Sequence, residues 1–472
     1  MNWVVFIAFD DGVQWVFRSP RYDTLMFAGE TAAKILISEA STLKYLETHC
    51  SVPVPKVYSY SGNHKNDIGV PYILQSKAPG RPLSDYRWTE TSIQPPGFTH
   101  PSQLPLSDED RQKIMNQLGA IMSRLSNVHF SKIGSLFEDD DGGFSVRECL
   151  SPVLTWQSRD SLETELDRGP FSQEDCYLTS LISAFVSHAE ELPLSPCLFF
   201  SPLPKPADYL TWDSYKAAVD RRSDFIVIGD KLEGSKNRLD YSIAGQILEE
   251  MVPLLLSQST EFTISHPDLH TGNIFVDEEL NVTSIIDWAS STTGPVTELL
   301  ATPGLAGPSR PPSSSLVASF RAGFSEESRN VEQDMWDMSE IIWSFSRLVR
   351  LLSGQDLVLF QRLYELAHKS EMETLSDSID YGRLFHERAM LPRNKLLLSR
   401  LSEDDLPDVE VKGREKEILS GAKLERLAVA RKLTIMSEMN SGFVGDKRLW
   451  QWLDKALEEN ERAVYLYDGP MR

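Results

Sequence analysis

The chain has 472 residues, 41% of them hydrophobic and 25% charged, which is enough to bury a large core and to form more than one lobe. Its formal charge of -22, from 69 acidic and 47 basic side chains, repels polyanions and so argues against nucleic acid and against an anionic membrane as partners. The four cysteines (Cys50, Cys149, Cys176 and Cys197) form no C-x-x-C pair, which argues against a redox dithiol, a zinc-cysteine motif and a dense disulfide framework, so reduced thiols in the cytoplasm are expected.

The first apolar stretch, "WVVFIAF", has no basic segment before it and runs at once into Asp10-Asp11-Gly12. It reads as a strand entering a hairpin turn, with "VQWVFRS" as the return strand, and not as a signal peptide. No apolar run approaches the roughly 20 residues that cross a bilayer. Leu36, Ala40, Leu43 and Leu46 share one helical face, and the helix closes at "VPVPKVYSY", where Pro53 and Pro55 cannot continue it. "VPYILQS" is a further strand, so the first 80 or so residues predict a small α+β lobe. Residues 79–106 are rich in Pro, Ser and Thr and read as a connection or surface insertion.

Ser107 to Asp110 resembles a capping box, and Ile114, Leu118, Ile121 and Leu125 then mark a core-facing helix. Residues 138–240 are poorly patterned apart from a helix near 173–190, and 243–256 is again helical. "NIFVD" and "VTSIID" are short strands around the turn Glu278-Glu279-Leu280-Asn281. Residues 301–315 are an irregular loop, 333–352 a buried helix, and 414–438 and 446–462 amphipathic helices.

The chemistry gathers in "SHPDLHTGNIFVD", residues 265–277, and in "IIDW", residues 285–288. One reading is a zinc clamp: in an extended segment His266, Asp268 and His270 lie on one face, and two imidazoles with a carboxylate suit zinc. Pro267 and the loop character weaken that geometry, and the other histidines are scattered singly. Phosphoryl transfer accounts for more of the residues. It needs a carboxylate beside the acceptor hydroxyl and hard oxygen ligands for a divalent cation bridging the phosphates. Asp268 supplies the first. Asn273 returns to the same place through the compact Leu269-His270-Thr271-Gly272 loop, and Asp287 follows across the hairpin with Trp288 behind it. Two such ligands suffice for Mg²⁺, which keeps several waters.

The order His266-x-Asp268, four residues, Asn273, then "IIDW" resembles the catalytic loop of the aminoglycoside phosphotransferase and choline kinase group. "FDDGVQWVFRSP", "SEASTLKYLETHCSVPVPKVYSY" and "VPYILQSKAPGRPL" are similar to fungal members of that group. The resemblance covers residues 2–90 and 105–355 approximately. It implies an α+β, two-lobed protein kinase-like fold, with a small antiparallel-sheet N-lobe over residues 1–80 and a mainly helical C-lobe over 81–472 that carries the catalytic loop at 265–290. It implies an ATP- and Mg²⁺-dependent transfer of the γ-phosphoryl group to a hydroxyl of a small molecule. Asp268 would be the catalytic base, Asn273 and Asp287 would hold Mg²⁺, and His266 would bond within the loop. Arg18 would meet the phosphates with Glu39 as its ion-pair partner, and the backbone at Ser76 and Ala78 would touch adenine. Residues 288–316 would line the acceptor pocket.

One departure stands against this. Kinase-like folds cover the phosphates with a glycine-containing turn between their first two strands. Here Met1-Asn2 leads directly into the counterpart of the second strand, and no G-x-G-x-x-G or Walker-type run replaces that turn. A catalytically weak, pseudokinase-like binding module is therefore the alternative expectation.

Overall fold

A computed structural model of the chain describes residues 2–20, 29–88, 103–194, 200, 209–211, 213–215, 217–218, 220–222, 234–257, 259–306, 311–327, 331–352, 356–369, 379–407, 409–410, 413, 424–439, 449, 451–453 and 455. The expected helix at 446–462 falls mostly outside these. So do residues 89–102 of the expected connection, 307–310 of the expected loop, 414–423 of the expected amphipathic helix, and Cys197.

Strands β1 (Asn2–Ala8) and β2 (Gln14–Pro20) form the expected hairpin, with Asn2 opposite Pro20 and Ala8 opposite Gln14. Asp11 Oδ1 accepts a hydrogen bond from the Val13 amide at 3.0 Å, the local bond that makes aspartate a turn residue. Helix α1 (Gly29–His49) buries Leu36, Ala40, Leu43 and Leu46 as the spacing predicts, and buries Glu39 with them. Strands β3 (Val57–Ser61) and β4 (Tyr72–Ser76) complete an antiparallel sheet of order β1-β2-β4-β3, with β1 at its edge. Trp3, Val4, Val5 and Phe6 of that edge strand are exposed.

After the sheet the chain turns through Gly80 into β5 (Arg81–Pro82), which joins β11 (Ile274–Val276) and β12 (Val282–Ile285) in the order β12-β11-β5. Gly80 has φ of 81°, and a Cβ there would lie 2.1 Å from the Val276 carbonyl oxygen, so only glycine fits the crossing. Short strands β6 (Tyr86–Arg87) and β7 (Leu104–Pro105) pair next. Helix α2 (Asp108–Ser126) starts on the expected capping box: the Asp110 amide donates to Ser107 Oγ at 3.1 Å, and the Ser107 amide to Asp110 Oδ2 at 2.9 Å. A hairpin of β8 (Ser135–Glu138) and β9 (Phe144–Arg147), at the start of the poorly patterned stretch, comes before α3 (Pro152–Thr155) and α4 (Glu174–Glu191).

Helix α5 (Ser235–Leu255) begins earlier than the apolar pattern predicts. Strand β10 (Thr263–Ser265) pairs with β13 (Thr292–Gly294) and brackets the β11–β12 hairpin. Helices α6 (Val296–Leu300), α7 (Ser314–Glu327), α8 (Gln333–Leu348), α9 (Asp356–Ala367), α10 (Tyr381–Ala389), α11 (Pro392–Leu401) and α12 (Leu424–Met439) follow. In chain order this is the α+β arrangement expected: a small antiparallel sheet with one helix, then a mainly helical part.

The chain forms two compact units, Met1–Ser187 with Leu248–Arg350, and His188–Ile247 with Leu351–Arg472. The core of the first runs from Leu36 and Leu43 through Trp88, Ile114 and Leu118 to Ile274, Ile285, Trp288 and Phe320. The second holds an aromatic cluster in which Phe200 meets Tyr241 at 5.3 Å and Phe385 at 5.1 Å between ring centroids. Among the described residues no helix is long and apolar enough to cross a membrane.

Candidate active site

The loop between β10 and β11 is held by a closed circuit of hydrogen bonds. The Asp268 amide donates to His266 Nδ1 at 3.1 Å, which puts the ring proton on Nε2, 3.0 Å from the Ile286 carbonyl oxygen. Asn273 Nδ2 donates to the Asp268 carbonyl at 3.0 Å, and the Ile286 amide donates to the Asn273 carbonyl at 3.0 Å. Residues 266, 268, 273 and 286 are thus tied to one another, and Asp287 is next in the chain. Burial pushes the His266 imidazole below its ordinary value, in keeping with a neutral ring. Both of its nitrogens are engaged, which removes it from a zinc clamp. The indole of Trp288, fully buried, stands edge-on to His266 at 4.9 Å and donates from Nε1 to the Ile285 carbonyl at 3.0 Å.

The three oxygen-bearing side chains are presented differently. The Asp268 carboxylate is 47% exposed, with His270 Nε2 3.8 Å from Oδ2. The buried Asn273 commits Nδ2 to the loop, which turns Oδ1 the other way. Asp287 adopts φ of 63° and leaves its carboxylate 43% exposed. Left-handed backbone is tolerated best by glycine, asparagine and aspartate, so the turn that aims this carboxylate also restricts what can replace it.

The sheet supplies the cation. Arg18, on β2, is buried, and its Nη2 lies 2.6 Å from both carboxylate oxygens of Glu39 on α1. Its Nη1 reaches to 3.9 Å from Asp287 Oδ1. Burial opposes the guanidinium charge, yet the carboxylates of Glu39 and Asp287 outweigh it and hold Arg18 above its ordinary value. The Trp288 backbone also bonds to Glu39, so Arg18, Glu39 and the Asp287–Trp288 segment are joined. The linker sites are occupied in part: the Ser76 amide donates to the Lys56 carbonyl at 2.8 Å, the Lys56 amide to Ser76 Oγ at 2.9 Å, and the Lys77 amide to the Gln14 carbonyl at 3.2 Å. Ala78 is buried.

A second layer was not legible as a motif. Glu298, on α6, accepts from Ser265 Oγ at 2.8 Å and from the Tyr177 hydroxyl at 3.3 Å, next to the loop's first residues. Burial raises its carboxyl. Burial likewise lowers Arg350, against the attraction of Asp268 and Glu298.

For a divalent cation the donor set is Asn273 Oδ1 and the Asp287 carboxylate, hard oxygens of the type and number that Mg²⁺ takes from a protein. Among the described residues no group of three or more His, Cys, Asp and Glu side chains is placed to bind a metal.

Residues 215–324 match the phosphotransferase enzyme family, which bears out the resemblance to the aminoglycoside phosphotransferase and choline kinase group. Over 275 residues the chain is 26% identical to a subtelomeric hrmA-associated cluster protein of Aspergillus fumigatus, a match covering 54% of this chain and 50% of that one. The chain thus spans about half the length of the curated relative it matches. It is 34% identical over 122 residues to altered inheritance of mitochondria protein 9, mitochondrial, of Candida tropicalis, covering 25% of this chain and 17% of that one. That name refers to a compartment other than the expected cytoplasm. Among solved structures, a macrolide 2'-phosphotransferase from Brachybacterium faecium aligns over 80% of this chain and 89% of its own, with 13% identity and a TM-score of 0.36.

Proposed function

Taking the match of residues 215–324 to the phosphotransferase enzyme family as the premise, we propose that this protein transfers the γ-phosphoryl group of ATP, in the presence of Mg²⁺, to a hydroxyl of a small molecule. What supports this is the hydrogen-bond circuit through His266, Asp268, Asn273 and Ile286, with Asp287 next in the chain and its carboxylate 3.9 Å from Arg18 of the Arg18–Glu39 pair.

In this reading Asp268 accepts, or orients, the proton of the acceptor hydroxyl, the role its exposed carboxylate can fill once a substrate is within about 3 Å. Asn273 Oδ1 and the Asp287 carboxylate would hold the cation, which supplies charge neutralisation at the phosphates. Arg18 contributes a fixed positive charge on the phosphate side, and Glu39 keeps its fork in one orientation. His266 and Trp288 keep the loop in register, and the Ala78 backbone is the adenine-side contact together with the Ser76 carbonyl. Catalysis then rests on alignment and prearranged charge, with no covalent intermediate on the protein.

A binding module with weak or no turnover is the second reading. It is favoured by the exposed apolar side chains Trp3, Val4, Val5 and Phe6 on β1. The two are separated by a panel of hydroxyl-bearing small molecules assayed for ADP release with Mg²⁺-ATP. The phosphotransferase reading expects turnover that falls by about 10²–10⁴ in Asp268→Asn, while Mg²⁺-ATP still raises the melting temperature of that variant. A wild-type chain whose melting temperature ignores millimolar Mg²⁺-ATP overturns both nucleotide binding and the enzyme.

A further inference from the structure

Helix α1 turns Glu39 toward Arg18, and another side of the helix is fastened by the β8–β9 hairpin. Glu138, ending β8, is ion-paired with Lys44 of α1. It accepts from the Tyr60 hydroxyl on β3 at 2.9 Å, and its amide donates to Ser41 Oγ at 3.0 Å. Phe144 of β9 stands edge-on to Tyr45 at 5.2 Å between centroids, and Lys34 pairs with Glu148 at 2.9 Å. The ties run along α1 from its first turns to its last third.

The same segment also holds the chain downstream of Asp287. Ser135 Oγ donates to the Ser291 carbonyl at 3.0 Å. The Thr293 amide donates to the Gly134 carbonyl at 2.7 Å, and the Gly134 amide donates to Thr293 Oγ1 at 3.0 Å. Between these polar ties a small apolar cluster of Ile35, Phe137 and Leu150, with Ile37 and Ala289 against it, joins α1, the hairpin and the second residue after Asp287. Residues 134–150 therefore touch both the helix that carries Glu39 and the segment that follows Asp287, the two carboxylates that face Arg18.

We propose that the 135–147 hairpin is a strap that fixes Glu39 and Asp287 relative to Arg18, and that Glu138 is a positioning residue for binding of the nucleotide phosphates; this rests on the phosphotransferase reading above. Glu138 touches no reacting atom. Its effect passes through α1, whose tilt sets where the Glu39 carboxylate, and with it the Arg18 fork, comes to rest. A charged group with several part-buried hydrogen bonds resists such tilting more than apolar contact alone.

The test has two readouts on the full chain. Without nucleotide, amide hydrogen exchange is compared in wild type, Glu138→Ala and Glu138→Gln, the last keeping an acceptor for Tyr60. Faster exchange at both 29–49 and 287–293 in Glu138→Ala, smaller in Glu138→Gln, is expected; faster exchange confined to 134–150 overturns the strap. With Mg²⁺-ATP, Glu138→Ala is expected to raise the half-saturating nucleotide concentration about 10-fold with the acceptor KM unchanged. An unchanged nucleotide requirement, or an equal loss for both substrates, overturns the positioning role. If Glu138→Ala does not fold, Lys44→Met, which spares the bonds to Tyr60 and Ser41, carries both readouts. A wild-type chain without a nucleotide response fails the phosphotransferase reading instead, and the exchange comparison still decides the strap.

Discussion

Two buried carboxylates, Glu39 in the first unit and Asp356 in the second, share their seclusion and little else. Glu39 is 4% exposed and meets a guanidinium with both oxygens. Asp356, fully buried at the start of α9, receives the Tyr241 hydroxyl at 2.6 Å, and burial pushes its carboxyl up to about 8. The first is paired with Arg18, whose charge the pair upholds, although burial, with Asp287 nearby, still raises the Glu39 carboxyl above its ordinary value. The second stays protonated near neutral pH and behaves as a polar link beside the Phe200–Tyr241 aromatic cluster. Burial of an acid is thus no mark of a site. What distinguishes Glu39 is that its partner, Arg18, reaches on toward the solvent-facing carboxylate of Asp287.

This contrast is open to direct test. Arg18→Ala strands Glu39 and is expected to cost about 3–5 kcal/mol of stability, read as a lower urea midpoint, with much of it recovered by adding Glu39→Gln. A loss no larger than that of a surface change would mean that Glu39 is not held as a charge. Asp287→Ala should leave the pair standing but remove the stabilisation by Mg²⁺-ATP, about 2.7 kcal/mol at a hundredfold excess over Kd. Asp287→Asn, which accepts the φ of 63°, separates the lost charge from backbone strain.

In the second unit the sign runs with acid. Asp356 ionises near 3.8 when unfolded and near 8 when folded, so its contribution is whole below 3.8 and is lost as pH rises through 8. Urea midpoints across that interval should fall with pH by at most about 1.4 kcal/mol per unit from this group, and Asp356→Asn should flatten the fall. The smallest effect is expected for Tyr241→Phe, about 1 kcal/mol of stability with the nucleotide response untouched.

The 265–288 loop could be read from the sequence because its residues, His266, Asp268, Asn273 and Ile286, all lie within about 20 positions of one another. The first hairpin and the capping box were legible for the same reason. The Arg18–Glu39 pair came from the resemblance. The strap stayed hidden because its bonds are long-range. "SLFEDDDGGFSVR" does carry a turn signal between two short strands, but nothing in spacing links Glu138 to Lys44, 94 positions earlier. Glu298, Tyr177 and Arg350 are single residues brought in by separate helices and their ends, and no motif announces them.

Gly80 has a mechanical consequence. Its bare Cα rests against the Val276 carbonyl, and the neighbouring Pro79 carbonyl accepts from Thr283 Oγ1 at 2.7 Å. The tether leaving the sheet is therefore riveted to the very hairpin that carries Asn273 and Asp287. Since the Lys77 amide is still bonded to Gln14, any breathing of the sheet against that hairpin falls on the short piece between Lys77 and Gly80, next to the proposed adenine-side contact at Ala78.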